Sequence, residues 1–267
     1  MPIAIPLGIF LKWNFWRQPI TPSQKIPLVI SLYLLAPAVL WLFATLDGAT
    51  FADYGLPWQG STLRSMLLGL GIGAIGLIMM FGLQWQLGWL HWHSLSSPTT
   101  AGALPQDQPE NVLSHTPQNR VILLLAVLGL ATWISLIEEL VFRGFLINQL
   151  QHNFAAWVAA TIASLIFAGL HLIWEGKDNL PQLPGLWLMG MVLVLARWVD
   201  GGNLGLAWGL HAGWVWLIAT TDSTQAITYT GKGATWLRGL VGKPLAGVFG
   251  ILFLLGTGGV LWLLGSF

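Results

Sequence analysis

Apolar residues in this chain come in long blocks separated by short polar connections. Seven blocks approach or exceed the ~20 residues that a helix needs to cross a bilayer. They run roughly from Pro27 to Leu46, Leu63 to Leu90, Val121 to Leu146, Phe154 to Trp174, Pro184 to Val199, Asn203 to Thr220 and Pro244 to Leu264. In lipid, each segment must satisfy its own backbone hydrogen bonds, which a helix does internally. The pattern predicts an all-α, polytopic transmembrane helical bundle of about seven spans. Gly69, Gly73 and Gly76 in the second block are small enough to let another helix come close.

The connections divide the chain. Residues 1–120 hold an N-terminal interfacial segment, two spans and a polar loop. Lys12, Arg17 and Lys25 there lie among Trp13, Phe15 and Trp16, a mixture suited to a membrane interface. The stretch from His91 to Arg120 is rich in Pro, Ser, Thr and Gln and reads as a mobile loop. His91, His93 and His115 lie in it at spacings that fit no compact metal site. Residues 121–220 hold four spans, and residues 221–267 hold a polar connection with Lys232, Arg238 and Lys243 before the last span. Counting basic residues along this topology, eight fall on the side of the N-terminus and three outside it or within spans, which predicts a cytoplasmic N-terminus. The apolar start, Met1 to Phe10, precedes the positive residues, the reverse of a cleavable signal peptide.

Composition agrees. Of 267 residues, 55% are hydrophobic and only 8% charged, and 17 are Trp, whereas soluble domains carry about 25% charged residues. The formal charge of +1 and the lack of a basic surface exclude nucleic acid as a partner; membrane lipids are the expected surroundings. With no cysteine, disulfides, thiol nucleophiles and thiolate metal sites are excluded.

Against this background Glu138, Glu139 and Arg143 stand out inside the third span. Ionisable groups at membrane depth are costly and point to a functional site. Glu139 and Arg143 are four residues apart and share a helix face, so they can pair. Glu138 is turned about 100° away and has no local partner. The spacing therefore casts Glu139–Arg143 as an anchor and Glu138 as the working acid or base. His171 and His211 lie on two further spans and need partners as well. One carboxylate and two imidazoles allow two chemistries. Glu138, His171 and His211 can bind a divalent ion such as zinc that acidifies water. Without a metal, Glu138 and His171 can deprotonate water while His211 donates to the oxyanion. Both hydrolyse an amide, and a cofactor is left open. The soluble zincin pattern His-Glu-x-x-His is absent. Ser135 and Ser164 have no histidine placed to activate them on sequence grounds. The repeated Gly-Leu-His of Gly169–His171 and Gly209–His211 reads as a packing device shared by two helices.

These motifs resemble a known family. Glu138-Glu139-Leu140-Val141-Phe142-Arg143 is similar to the Glu-Glu-x-x-x-Arg motif of the CPBP intramembrane proteases, which include type II CAAX prenyl proteases and bacteriocin-processing, ABI-like proteins. Phe167 to His171 resembles the family's Phe-x-x-x-His motif, and His211 the histidine of its third motif. The resemblance spans roughly Val121 to Thr220. It implies a catalytic cavity within the membrane, Glu138 activating water with His171, and His211 at the oxyanion. It also implies supporting roles for Glu139, Arg143 and Phe167, and a peptide or membrane-protein substrate. The family's Asn or Asp four residues after the last histidine is Val215 here. The expected activity is therefore that of an intramembrane endopeptidase, with a weakly active or inactive scaffold of the same fold as the alternative.

Overall fold

A computed structural model describes residues 22–93, 117–240 and 243–265. Most of the predicted interfacial segment, and the polar stretch 94–116 with His115, lie outside the described residues. The chain is helical almost throughout. Helix α1 is Pro22–Leu46, α2 is Gly60–Gln86 and α3 is Pro117–Glu138. The chain then continues without a break through a π-helical segment, Glu139–Leu146, into the short α4, Ile147–Gln151. After it come α5 (Ala156–Glu175), α6 (Leu183–Val199), α7 (Gly205–Ser223), a short α8 (Thr235–Arg238) and α9 (Val248–Gly265). Each predicted span corresponds to one rod of this bundle. The motif-bearing rod is longer than its apolar block suggests, because polar residues at both ends, Gln118 and Gln151 among them, continue the helix.

Four segments are long and apolar enough to cross a membrane by length and composition: Gly60–Gln86, Gln118–Gln151, Asn179–Val199 and Val248–Gly265. Ile30–Leu46 and Ala156–Leu172 are shorter apolar helices. Helix α7 differs for a physical reason. Its first ten residues, Gly205 to Trp214, are all buried, so neighbouring helices surround it and its face need not suit lipid.

Glycines set how closely α2 and α7 approach. A Cβ on Gly69 or Gly73 would run into the backbone of Leu206 and Leu210, and one on Gly209 or Gly213 into the backbone of Met66 and Leu70. The two helices thus interlock through small residues on both sides. Gly76 serves a different neighbour, the Phe253 ring of α9, 2.9 Å from its Cβ position. The repeated Gly-Leu-His is not one shared packing device: Gly209 is wedged against α2, whereas a Cβ at Gly169 would meet nothing within 4 Å.

The connections gather at two opposite ends. At one, the Leu204 N–H donates to the Gly55 carbonyl (2.7 Å), Asn148 Nδ2 donates to the Asp53 carbonyl (2.9 Å), and Ser65 Oγ donates to Asp200 Oδ1 (2.7 Å). At the other, β1 (Leu90–Trp92) pairs antiparallel with β2 (Ile227–Tyr229), and Lys243 Nζ donates to Asn179 Oδ1 at 2.7 Å. Successive connections alternate between the ends, as a chain crossing a layer repeatedly must arrange them. His91 lies in β1, so the polar loop begins later than its composition suggests; His93 meets Thr228 Oγ1 at 2.6 Å and is exposed.

Candidate active site

The site forms where α3 passes into the π-helical segment. Such segments are rare and occur often at functional sites. Glu138 closes α3, and Glu139 opens the wider turns. Gly144 lets this backbone lie against the loop before α2; a Cβ there would come within 2.8 Å of the Tyr54 carbonyl. Arg197 of α6 braces the same stretch. Its Nη1 donates to the Arg143 carbonyl, its Nη2 to Asn148 Oδ1 (3.0 Å), and its Nε to the Gly202 carbonyl (3.0 Å).

The ion pair expected from spacing is present: Arg143 Nη1 donates to Glu139 Oε1 at 3.0 Å, with both side chains almost fully buried. The same carboxylate oxygen faces His211 Nδ1 at 2.8 Å. Glu139 therefore holds an arginine and a histidine at once. The other ring nitrogen of His211, Nε2, lies 3.5 Å from Glu138 Oε2. With the Nδ1 proton directed at Glu139, Nε2 is the nitrogen left to act towards Glu138. This orientation of an imidazole by a buried carboxylate is the logic of a catalytic triad's third member.

Glu138 is not without partners once the chain is folded. Besides His211, the Tyr33 hydroxyl of α1 donates to Glu138 Oε1. His171 is placed differently. Its Nδ1 meets the Phe167 carbonyl at 2.9 Å, one turn earlier on α5, which leaves Nε2 as its open nitrogen. No hydrogen bond or ion pair joins His171 to Glu138 among the contacts found in the described residues. Phe167 is what links the two histidines. Its ring centroid is 4.8 Å from that of His171 and 6.0 Å from that of His211, and the Arg143 guanidinium stands 4.3 Å above it. A cation over an aromatic face is attracted by the ring's quadrupole, and more so when desolvated.

Among the described residues, no three His, Cys, Asp or Glu side chains converge as a metal-binding group. Glu138, His171 and His211 as placed do not fit a three-ligand ion, because His171 is turned to the Phe167 carbonyl and meets neither of the other two through a polar contact among the described residues. Ser135 and Ser164 are buried, and neither hydroxyl has a hydrogen-bond partner. Asn203 is committed to Thr62 Oγ1 and the Gly205 N–H, and Trp216 Nε1 to the Leu124 carbonyl. Neither is free to replace the polar atom that Val215 lacks, whereas the hydroxyl of Thr220, the third residue that could substitute, is buried without a hydrogen-bond partner.

Tyr33 and Arg197 were not singled out by the motif reading. Each carries a signal, however: a phenol or guanidinium within an apolar span must find a partner.

The bundle is that of a helical membrane protein, with a buried Glu–His–Arg cluster inside it. Residues 120–217 match the family model described as type II CAAX prenyl endopeptidase Rce1-like. That segment, a little over a third of the chain, is thus similar to the type II CAAX prenyl endopeptidases, in agreement with the CPBP resemblance of its motifs. The matched segment holds Glu138, His171 and His211. No curated protein and no solved structure matches the chain.

Proposed function

We propose that this protein is an intramembrane endopeptidase that hydrolyses peptide bonds in peptides or membrane-associated proteins by water activated at Glu138. The observation that carries the reading is His211 held between two carboxylates, Nδ1 on Glu139 and Nε2 towards Glu138. Glu138 takes a proton from water, and the water oxygen bonds to the scissile carbonyl carbon. His211, carrying a proton on each ring nitrogen, keeps Nδ1–H on Glu139 and donates from Nε2 to the oxyanion, and His171 orients the water through its open nitrogen. On collapse of the tetrahedral intermediate, the proton held by Glu138 passes to the leaving amine. Glu139, Arg143 and Phe167 hold His211 and the π-helical turn in place.

Val215 favours a second reading, a scaffold of the same fold with weak or no activity. Purified protein in lipid, offered a mixed library of prenylated and unmodified peptides, separates the two. The protease reading expects product peptides from the wild type, a loss of about 10²–10⁴ in rate for Glu138→Gln, and about 10²–10³ for His211→Ala. Equal product release by wild type and Glu138→Gln contradicts it.

A further inference from the structure

One polar contact of the site comes from outside the matched segment. Tyr33 lies on α1, 105 residues before Glu138, is half-buried, and donates its hydroxyl to Glu138 Oε1. The two carboxylate oxygens of Glu138 therefore face different partners: Oε1 meets Tyr33, and Oε2 faces His211 Nε2 at 3.5 Å. A carboxylate on a side chain with three rotatable bonds has much freedom to lose, and a base misplaced by about 1 Å can cost about 10² in rate.

We infer that Tyr33 is a positioning residue for Glu138: by occupying Oε1, it leaves Oε2, on the His211 side, as the oxygen that receives the proton from water. This rests on the protease reading above. In the step, a water O–H bond breaks, the proton binds Oε2, and the water oxygen bonds to the substrate's carbonyl carbon. Tyr33 keeps its own proton. It donates to the carboxylate before the transfer and to the carbonyl oxygen of the resulting carboxylic acid after it, so the contact survives both states. Helix α1 is then part of the working site. Its lower face is held independently: Leu40 and Ala44 are buried in a cluster with Leu136 and Leu140 of the motif-bearing rod, and Phe43 stacks obliquely on Phe145 at 6.0 Å. Removing one hydroxyl from Tyr33 should therefore leave α1 docked.

The test uses Tyr33→Phe in the full chain, beside wild type and Glu138→Gln. With the peptide library, Tyr33→Phe is expected to lower kcat about ten- to a hundredfold while KM stays within about twofold. Infrared difference spectra give a readout that needs no substrate. Subtracting the Glu138→Gln spectrum from the wild type isolates the Glu138 carboxyl band, and Tyr33→Phe is expected to displace that band. A band that stays in place, or a wild-type kcat in Tyr33→Phe beside an inactive Glu138→Gln, overturns the inference alone. Retained cleavage by Glu138→Gln overturns the protease reading, and with it the role of Tyr33.

Discussion

Arg143 shows how much a single residue can organise inside a membrane. It is 1% exposed, pairs with Glu139 at 3.0 Å and stands over the Phe167 ring. Burying two charges is expensive, and the pair is tolerable because each charge meets the other in good geometry. Removing one partner leaves an uncompensated charge, which costs about 3–5 kcal/mol. Arg143→Ala is therefore expected to destabilise the protein by about that amount, seen as a lowered Tm in lipid or detergent; an unchanged Tm would deny the pair its anchoring role. Sequence spacing reveals this contact because residues four apart on a helix must meet. It cannot reveal the His211 Nδ1 contact to the same carboxylate or the Tyr33 contact to Glu138, which join different helices. For the same reason, the spacing argument leaves Glu138 alone where the fold gives it two neighbours.

Between elements, the deciding groups are those that are small. Gly209 is pressed on the Met66 carbonyl and Leu70 N–H, and its counterparts on α2 are pressed on Leu206 and Leu210. Gly209→Val is expected to force α2 and α7 apart and destabilise by about 1–3 kcal/mol, the usual cost of overpacking, or more. Gly169→Ala, with open space at its Cβ, is expected to be neutral or to stabilise by up to about 1 kcal/mol through helix propensity. Chemical denaturation of the two variants checks the contrast, and equal effects would contradict it. Both glycines precede Leu-His in the chain, so sequence alone gives them equal standing. Only the packing separates them. The seven apolar blocks, by contrast, are legible because apolar runs of about 20 residues suit a membrane-spanning helix, whereas a barrel strand needs only about 10. The π-helical turn is not legible: it changes backbone bonding without changing which residues are apolar.

At the scale of the whole molecule, the bundle places the Glu–His–Arg cluster away from both ends. Glu138 lies within a rod that runs from Pro117 to Gln151 and is met by α1 and α7, while Phe167 of α5 packs on His211 and Arg143. The loops at one end are tied through Arg197 and Asn148, those at the other through the β1–β2 pair. A site so enclosed by apolar helices suits substrates that arrive with a membrane, which fits the CAAX-type proteases that the segment 120–217 matches. The most direct measurement of the central claim compares peptide termini by mass spectrometry in membranes carrying wild type and membranes carrying Glu138→Gln at matched protein levels. The account predicts new termini that appear only with the wild type, and these would also identify the substrates. The same set of termini in both membranes would contradict it and leave the scaffold reading in its place.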